Sequence, residues 1–504
     1  MKKIIIFCWA WLTWLSPILI LAQLSNVWQV TDGAGTIKDI DFDNENNVLI
    51  NAVRVDTISI ENVIILKYAN TGEFLWQTAY TYGPYSIEDA YDMSIAPDNS
   101  VIVAGKAETE FADDYLVLKY DAQGALQWLD LYNVSYQDEA RYSAIDSEGY
   151  IYVVGDTYTL PSYITRYSPD GAILWRDTLP DTNGTLYSLL LDEEENIYTG
   201  GTALQPSTGE YVAALYKVGT DGETIWENLF TLPDTDVASV LKVMGVLENN
   251  IPITLVGFGE AALIAHNPED GSHLWETILP MDITYYPEIS LNAARDHFAI
   301  SGRPGHDLCY YNSSGNMLWH VQKDPFPQPF NVDVEIAPNG VIYWLTHDTL
   351  YVYGSDGTEL YVHAFGEDMK PKFIRFDSEG YLYVVGSKIV DGFYRIALEK
   401  YQTDIADNLP APVGAGVGLS ASYISGSGAG AMVHFYTLSD KAVSGSVLRV
   451  YDICGREVHS GVVSDTREGY NWYIEERKPA RGIYVAVWEH WGQVLGRCRV
   501  VLGQ

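Results

Sequence analysis

Apolar residues fall in short runs and alternations of strand length throughout the chain. Tyr91–Ala96 alternates, Ser100–Gly105 runs apolar, and Pro97-Asp98-Asn99 separates the two. Such segments, bounded by turn residues, predict strands. A glycine then precedes a large aromatic by four residues in seven places: Gly72/Trp76, Gly124/Trp128, Gly171/Trp175, Gly222/Trp226, Gly271/Trp275, Gly315/Trp319 and Gly357/Tyr361. The preceding turns, such as Pro169-Asp170-Gly171 and Ser355-Asp356-Gly357, require the positive φ of a tight hairpin, so each repeat ends in one. The aromatics lie 52, 47, 51, 49, 44 and 42 residues apart. Four short strands per repeat, with no amphipathic helical stretch between them, predict an all-β chain of propeller blades. A lone blade is apolar on both faces, so the tryptophans are expected as core between neighbouring sheets.

First strands near Ile37, Ala90, Ala140, Thr185, Val237, Pro287, Val332 and Phe373 give eight repeats, but the eighth stops at Tyr401 without a Gly-x-x-x-Trp strand. Trp28 lies 48 residues before Trp76 with no earlier strand ahead of it. Residues 25–30 are therefore expected to complete blade eight and remove two open sheet edges. The alternative is seven closed blades and a loose N-terminal strand.

The ends of the chain read differently. Met1-Lys2-Lys3, an apolar run from Ile4 to Leu21 and Ala22 before Gln23 predict a secretory signal peptide over 1–22. The propeller is assigned to 23–404 and a Pro/Gly/Ser-rich linker to 405–430. Residues 431–504 carry strand patterns at Met432–Leu438, Ser446–Asp452, Gly469–Ile474, Ile483–Trp488 and Val494–Leu502, the size and alternation of a small β-sandwich. No segment is expected to span a membrane in the mature chain.

Three resemblances follow from these motifs, two in the repeats and one in the tail. Glu88–Ala96, Val101–Gly105, Asp114–Asp121 and Gly124–Trp128, echoed by Asp138-Glu139-Ala140 and Gly149–Gly155, resemble the SBBP-type β-propeller repeat of secreted bacterial proteins. The Gly-x-x-x-Trp element is also similar to that of eight-bladed pyrroloquinoline-quinone-type propellers. In repeats five to seven the likeness rests on spacing, since His266, Tyr310 and Val352 replace the basic residue seen at Lys67, Lys119 and Arg166. In the tail, Leu448–Val458, Ala480–Val487 and Arg497–Leu502 resemble the C-terminal sorting domain of the Bacteroidota type IX secretion system. That resemblance implies a partner, the type IX machinery, and a secreted or cell-surface location.

Charge narrows the ligands. Lys and Arg number 30 against 67 Asp and Glu. Removing Lys2 and Lys3 with the signal leaves 28 − 67 = −39. A field of that sign repels DNA and anionic membranes, and no basic cluster offsets it, so nucleic acid is not expected as a partner.

Of the four cysteines, Cys8 lies in the signal, Cys454 and Cys498 are free to pair in an oxidising compartment, and Cys309 is expected to be buried and structural. No hydrolase elbow, zinc-protease, nucleotide or Cys-x-x-Cys motif occurs. The turn Ser168–Gly171 does not fit a sialidase-type Asp-box, and a quinoprotein's adjacent cysteines are missing. The acidic turns Asp41–Asn47 and Asp192–Asn196 are the candidates for Ca²⁺, neither with full calcium-loop spacing. His306 and His347 read as polar surface. No residue is singled out as catalytic, cofactor-binding or metal-ligating. The link between second and third strands varies most, from 14 residues between Gly105 and Lys119 to 8 between Gly302 and Tyr310, which places recognition in those loops and the axial channel.

The expectation is thus a secreted or cell-surface, non-enzymatic propeller that binds a protein or glycan. The alternative is an extracellular propeller enzyme, polysaccharide-active or a quinone-dependent oxidoreductase. Charged side chains converging at the channel mouth would keep the enzyme reading, and a smooth uncharged rim would sink it.

Overall fold

The computed structural model describes residues 24–55, 61–83, 86–109, 112–157, 161–179, 185–205, 208–231, 241–257, 261–281, 287–302, 307–323 and 332–403, and the strands of the C-terminal region between 419 and 502. Eight four-stranded antiparallel sheets make up residues 24–403. Their first strands are Thr36–Phe42, Glu88–Ile95, Asp138–Ile145, Leu186–Leu191, Leu241–Val246, Glu288–Leu291, Val332–Ile336 and Met369–Phe376. Each packs against the first strands of the neighbouring blades, and blade 8 returns to blade 1, so the sheets form a closed ring around an axis.

The burial pattern explains the sequence pattern. Second and third strands, such as Val101–Glu108 and Asp113–Tyr120, are covered on both faces by adjacent blades and are almost continuously buried. Fourth strands, such as Phe74–Tyr80, alternate because one face meets solvent.

Blade 8 is closed by the N-terminus. Leu24–Thr31 pairs antiparallel with Phe393–Thr403, with Trp28 opposite Lys400. The ring is therefore eight-bladed, as the 48-residue offset of Trp28 predicts.

The tryptophans occupy the junctions between blades, but they are half-buried latches more than core. Trp28, Trp76, Trp175, Trp226, Trp275 and Trp319 each donate Nε1–H, at 2.9–3.0 Å, to a carbonyl in the third-to-fourth-strand turn of the next blade: Asn70, Ala122, Thr220, Pro268, Ser313 and Ser355. The motif glycine of that next turn lies under the indole. Its φ is between +73° and +91°, and a Cβ there would stand only 2.5–3.0 Å from a tryptophan atom. Glycine and tryptophan of one repeat thus each touch a different neighbour. The basic residue of the third strand joins the latch: Lys67, Lys119, Arg166, Lys217 and Lys400 donate to the carbonyls of Ala122, Pro169, Thr220, Pro268 and Asn70 at 2.7–3.3 Å. Trp128 is the variant, its Nε1 without an acceptor among the described residues and its ring stacked on Tyr167 at 5.4 Å. Tyr361 replaces tryptophan at the blade 7–8 junction, where the last two strands of blade 8 are not consecutive in the chain and no turn exists to be latched.

In the C-terminal region Leu419–Ile424, Ala431–Thr437 and Tyr470–Ile474 form a three-stranded sheet. Glu457–Val463, Ser446–Asp452, Gly482–His490 and Gln493–Leu502 form a four-stranded one. Leu419–Ile424 lies inside the segment read as linker, and it pairs with Ala431–Thr437. Cys454 lies outside the described residues.

Candidate functional site at the channel mouth

Six of the eight first strands carry a β-bulge near their start, between Ile37/Asp39, Ala90/Asp92, Ala140/Tyr142, Leu186/Ser188, Val243/Gly245 and Pro371/Phe373. The extra residues are Lys38, Tyr91, Arg141, Tyr187, Met244 and Lys372. A bulge leaves its residue without a partner in the ladder and re-aims side chains. Here it gathers long polar groups from several blades at the end of the channel where the chain enters each blade.

Those groups are wired across blades. Lys38 Nζ lies 2.5 Å from Asp89. Lys106 reaches Asp113 at 2.8 Å and Glu139 at 3.3 Å. Arg141 pairs with Glu139 and, at 3.1 Å, with Asp156, and its guanidinium lies over the Tyr91 ring at 4.8 Å. Tyr91 donates its hydroxyl to Glu139 at 3.1 Å. Asp156 accepts from the backbone N–H of Leu186 at 2.9 Å, and burial pushes its carboxyl up to about 6.

Deeper along the axis, first-strand side chains cap the unpaired edges of neighbouring first strands. Asp92 accepts from Ser143 N at 2.8 Å, Ser188 from Val243 N at 2.9 Å, Ser290 from Ile336 N at 2.9 Å and Asp333 from Ile374 N at 2.8 Å. Asp39 accepts from Met93 N in the same way. An inner edge strand offers a row of free N–H groups, and leaving them unmet would cost about 1–3 kcal/mol each. Arg375 bridges Asp333 at 2.9 Å and Glu335 at 3.0 Å.

The carboxyls here hold protons more tightly than usual. Burial raises Asp39, with the Asp92 charge adding to it, and burial raises Asp92 and Asp333. Burial also takes Asp41 up to about 6. Burial opposes the charge on Arg375, but the surrounding carboxylates outweigh it and keep the guanidinium protonated. The channel is therefore an acidic, hydrogen-bonding shaft whose buried carboxyls keep their protons to higher pH than usual, with the Arg375 guanidinium held charged among them.

Among the described residues five of the six exposed aromatics lie at the same end of the ring, Phe74 at the start of a fourth strand being the exception. Second-to-third-strand hairpins and links between blades both emerge there, because four antiparallel strands bring those connections to one end. Tyr82, Tyr136, Tyr211, Phe393 and Tyr394 lie on them, Tyr136 at 71% and Phe393 at 68% exposure. The expected length variation takes the form of paired extensions. Blade 2 runs out to Glu108↔Asp113 and blade 8 to Val390↔Phe393, turning on Asp391-Gly392, both at positive φ.

The acidic turns do other work. Asp43 pairs with Lys67 at 2.7 Å and accepts from the N–H groups of Glu45 and Asn47, both at 2.9 Å; these bonds overcome its burial and hold it below the usual carboxylate range. Asp192 pairs with Lys217 at 3.2 Å and caps Glu194 and Asn196. Among the described residues no group of three or more His, Cys, Asp or Glu is placed to hold a metal. Cys309 is buried, which pushes its thiol up to about 12. His306 lies outside the described residues, and His347 is half-buried. His266 is fully buried between Thr254 and the Gly271 carbonyl, and burial lowers it to about 4, so a neutral ring fills the place of the usual cation.

Sequence reasoning missed the bulge residues. Their signal is present, a long polar residue after the apolar first-strand position in Ile37-Lys38-Asp39, Ala90-Tyr91-Asp92 and Ala140-Arg141-Tyr142. Strict alternation hides it, because a bulge breaks the period of two.

Fold and site together define an eight-bladed β-propeller with a charged axial channel. No family model and no curated protein matches the chain. Solved propellers do. The Dos1 propeller aligns at 10% identity over 75% of this chain and 95% of that one, TM-score 0.52. A quinohemoprotein alcohol dehydrogenase from Pseudomonas putida HK5 aligns at 13% identity over 78% of each, TM-score 0.52. Virginiamycin B lyase from Staphylococcus aureus aligns at 12% identity over 62% of this chain and 94% of that one, TM-score 0.39. Likeness at this level concerns the fold alone, and the functions of these proteins differ.

Proposed function

We propose that this is a secreted or cell-surface, non-enzymatic propeller that binds an extracellular protein or glycan on the face holding the channel mouth. The observation that carries the reading is the meeting, on that one face, of exposed aromatics with a charged side-chain network drawn from several blades. Aromatic rings supply contact area at little entropic cost, and carboxylates accept hydrogen bonds from hydroxyl or amine groups. A net charge of −37 favours neutral or cationic partners over polyanions. Export rests on the N-terminal basic-apolar segment and on the three tail motifs, with 431–504 serving as a β-sandwich sorting domain for the type IX machinery.

The test of binding is a screen of the purified protein against glycans and surface proteins, repeated with Tyr136→Ala and with Phe393→Ala/Tyr394→Ala. Loss of the ligand in these folded variants supports the reading, and unchanged affinity refutes the assigned face. Deleting residues from Met432 onward should strand the protein in the periplasm; normal export of the truncated chain would refute the sorting role.

Arg375 flanked by Asp333 and Glu335 favours a second reading, a propeller enzyme acting on polysaccharide. Turnover of a polysaccharide panel that disappears in Asp333→Asn and Glu335→Gln would establish it in place of the first. A quinone-dependent oxidoreductase has no comparable support among the channel residues.

A further inference from the structure

We propose that Lys372 is a nucleophilic amine at the channel mouth, and that it captures a carbonyl-bearing ligand, an aldehyde or ketone, as a reversible imine. This does not depend on which partner the aromatic face binds.

The geometry is the first support. Lys372 is the extra residue of the blade 8 bulge, between Pro371 and Phe373, so it has no partner in the ladder and its side chain reaches the first strand of blade 1. Its Nζ donates to the Ile37 carbonyl, on the strand that carries the Lys38 bulge of blade 1. Bulge lysines of adjacent blades are thereby neighbours. They differ in one respect. Lys38 has the Asp89 carboxylate at 2.5 Å, whereas among the described residues no carboxylate stands within ion-pair distance of Lys372. Its Nζ also lies 4.8 Å from the centre of the Phe373 ring. An amine held in such a place, next to a second cation, is the arrangement that activates lysine toward carbonyls.

The electrostatics agree. Burial, and then the Lys38 charge, lower the Lys372 amine to about 8, while Asp39, Asp89 and Glu288 act in the opposite direction. Asp39, raised chiefly by burial, retains a proton to unusually high pH. Free amine and protonated acid thus coexist around neutrality, the pairing that imine formation needs. The Nζ lone pair forms the C–N bond as the carbonyl π pair moves to oxygen. A proton passes from nitrogen to that oxygen, Asp39 protonates the hydroxyl as it leaves as water, and the remaining proton on the imine nitrogen returns to the Asp39 carboxylate. Amine plus carbonyl gives imine plus water, with no oxidant or reductant.

The test traps the imine. The full chain is incubated with glyceraldehyde and cyanoborohydride at pH 7, and modified lysines are located by peptide mapping. Lys372 should be modified at least about tenfold faster than the median lysine, since each unit of lowered pKa gives about tenfold more free amine. Lys38→Met removes the neighbouring charge and should slow modification of Lys372 several-fold; Lys372→Arg should abolish that adduct and leave the rest. If Lys38→Met does not fold, the pH profile of wild-type modification decides instead, with a midpoint near 8 for Lys372. Uniform labelling of all lysines, or a Lys372 midpoint as high as that of surface lysines, overturns the proposal.

Discussion

Trp28 donates its indole N–H to the carbonyl of Asn70 at 2.9 Å, although the first belongs to blade 8 and the second to blade 1. The bond repeats at the ring's closure the latch used between consecutive blades. It makes the N-terminal strand a structural member of the ring.

Trp28→Ala should therefore destabilise the whole propeller by about 3–5 kcal/mol, the usual loss for truncating a packed tryptophan. Trp28→Phe keeps much of the packing and loses only the hydrogen bond, roughly 1 kcal/mol. Denaturant unfolding measures both, and equal effects would show that packing plays no part in closure.

Two glycines separate backbone strain from steric conflict. Gly124 and Gly380 have nearly the same φ, +83° and +84°, but a Cβ on Gly124 would lie 2.8 Å from Trp76 while Gly380 has nothing within 4 Å. Gly380→Ala should cost about 1–2 kcal/mol for the left-handed conformation. Gly124→Ala should cost measurably more and perturb tryptophan fluorescence; equal losses would contradict the latch.

Lys67 and Asp43 form a pair whose side chains are 5% and 1% exposed. Lys67→Met leaves a buried carboxylate uncompensated and should cost about 3–5 kcal/mol. Adding Asp43→Asn should recover part of that loss. A double-mutant cycle reads the coupling, and simple additivity would argue against the pair.

The raised channel carboxyls give stability a pH dependence of definite sign. Asp41 and Asp156 titrate near 6 in the folded protein, against about 4 unfolded. The folded state therefore binds more protons between those values. Their contribution is complete below about pH 4 and is lost as pH rises through about 6. Asp43, held low, acts oppositely, its contribution being lost only as pH falls below the unfolded carboxylate value. Thermal midpoints measured from pH 4 to 8 should show a decline from the channel groups that shrinks in Asp41→Asn; an unchanged slope in that variant would exclude Asp41 as a source.

Much of the fold was readable from spacing alone. The Gly-x-x-x-Trp interval and the incomplete eighth repeat sufficed for eight blades and for Trp28 as the missing member, because turn chemistry and burial on two faces are local demands that leave a periodic trace. In the tail, Ser446–Asp452 was legible from its alternation, whereas Glu457–Val463 and Leu419–Ile424 were missed. The latter sits in a Gly/Ser-rich stretch, where composition outweighs the pairing that a neighbouring strand supplies.

What the tertiary structure decided is who meets whom. The sequence by itself determined that glycine and tryptophan recur together, but only the ring shows that each touches the adjacent blade, since the partners lie about one repeat apart. Likewise Lys38, Tyr91, Arg141 and Lys372 are ordinary polar residues in four separate strands. Bulges at a common level, and closure around an axis, bring them into one mouth, and such convergence depends on long-range geometry that a local pattern cannot encode.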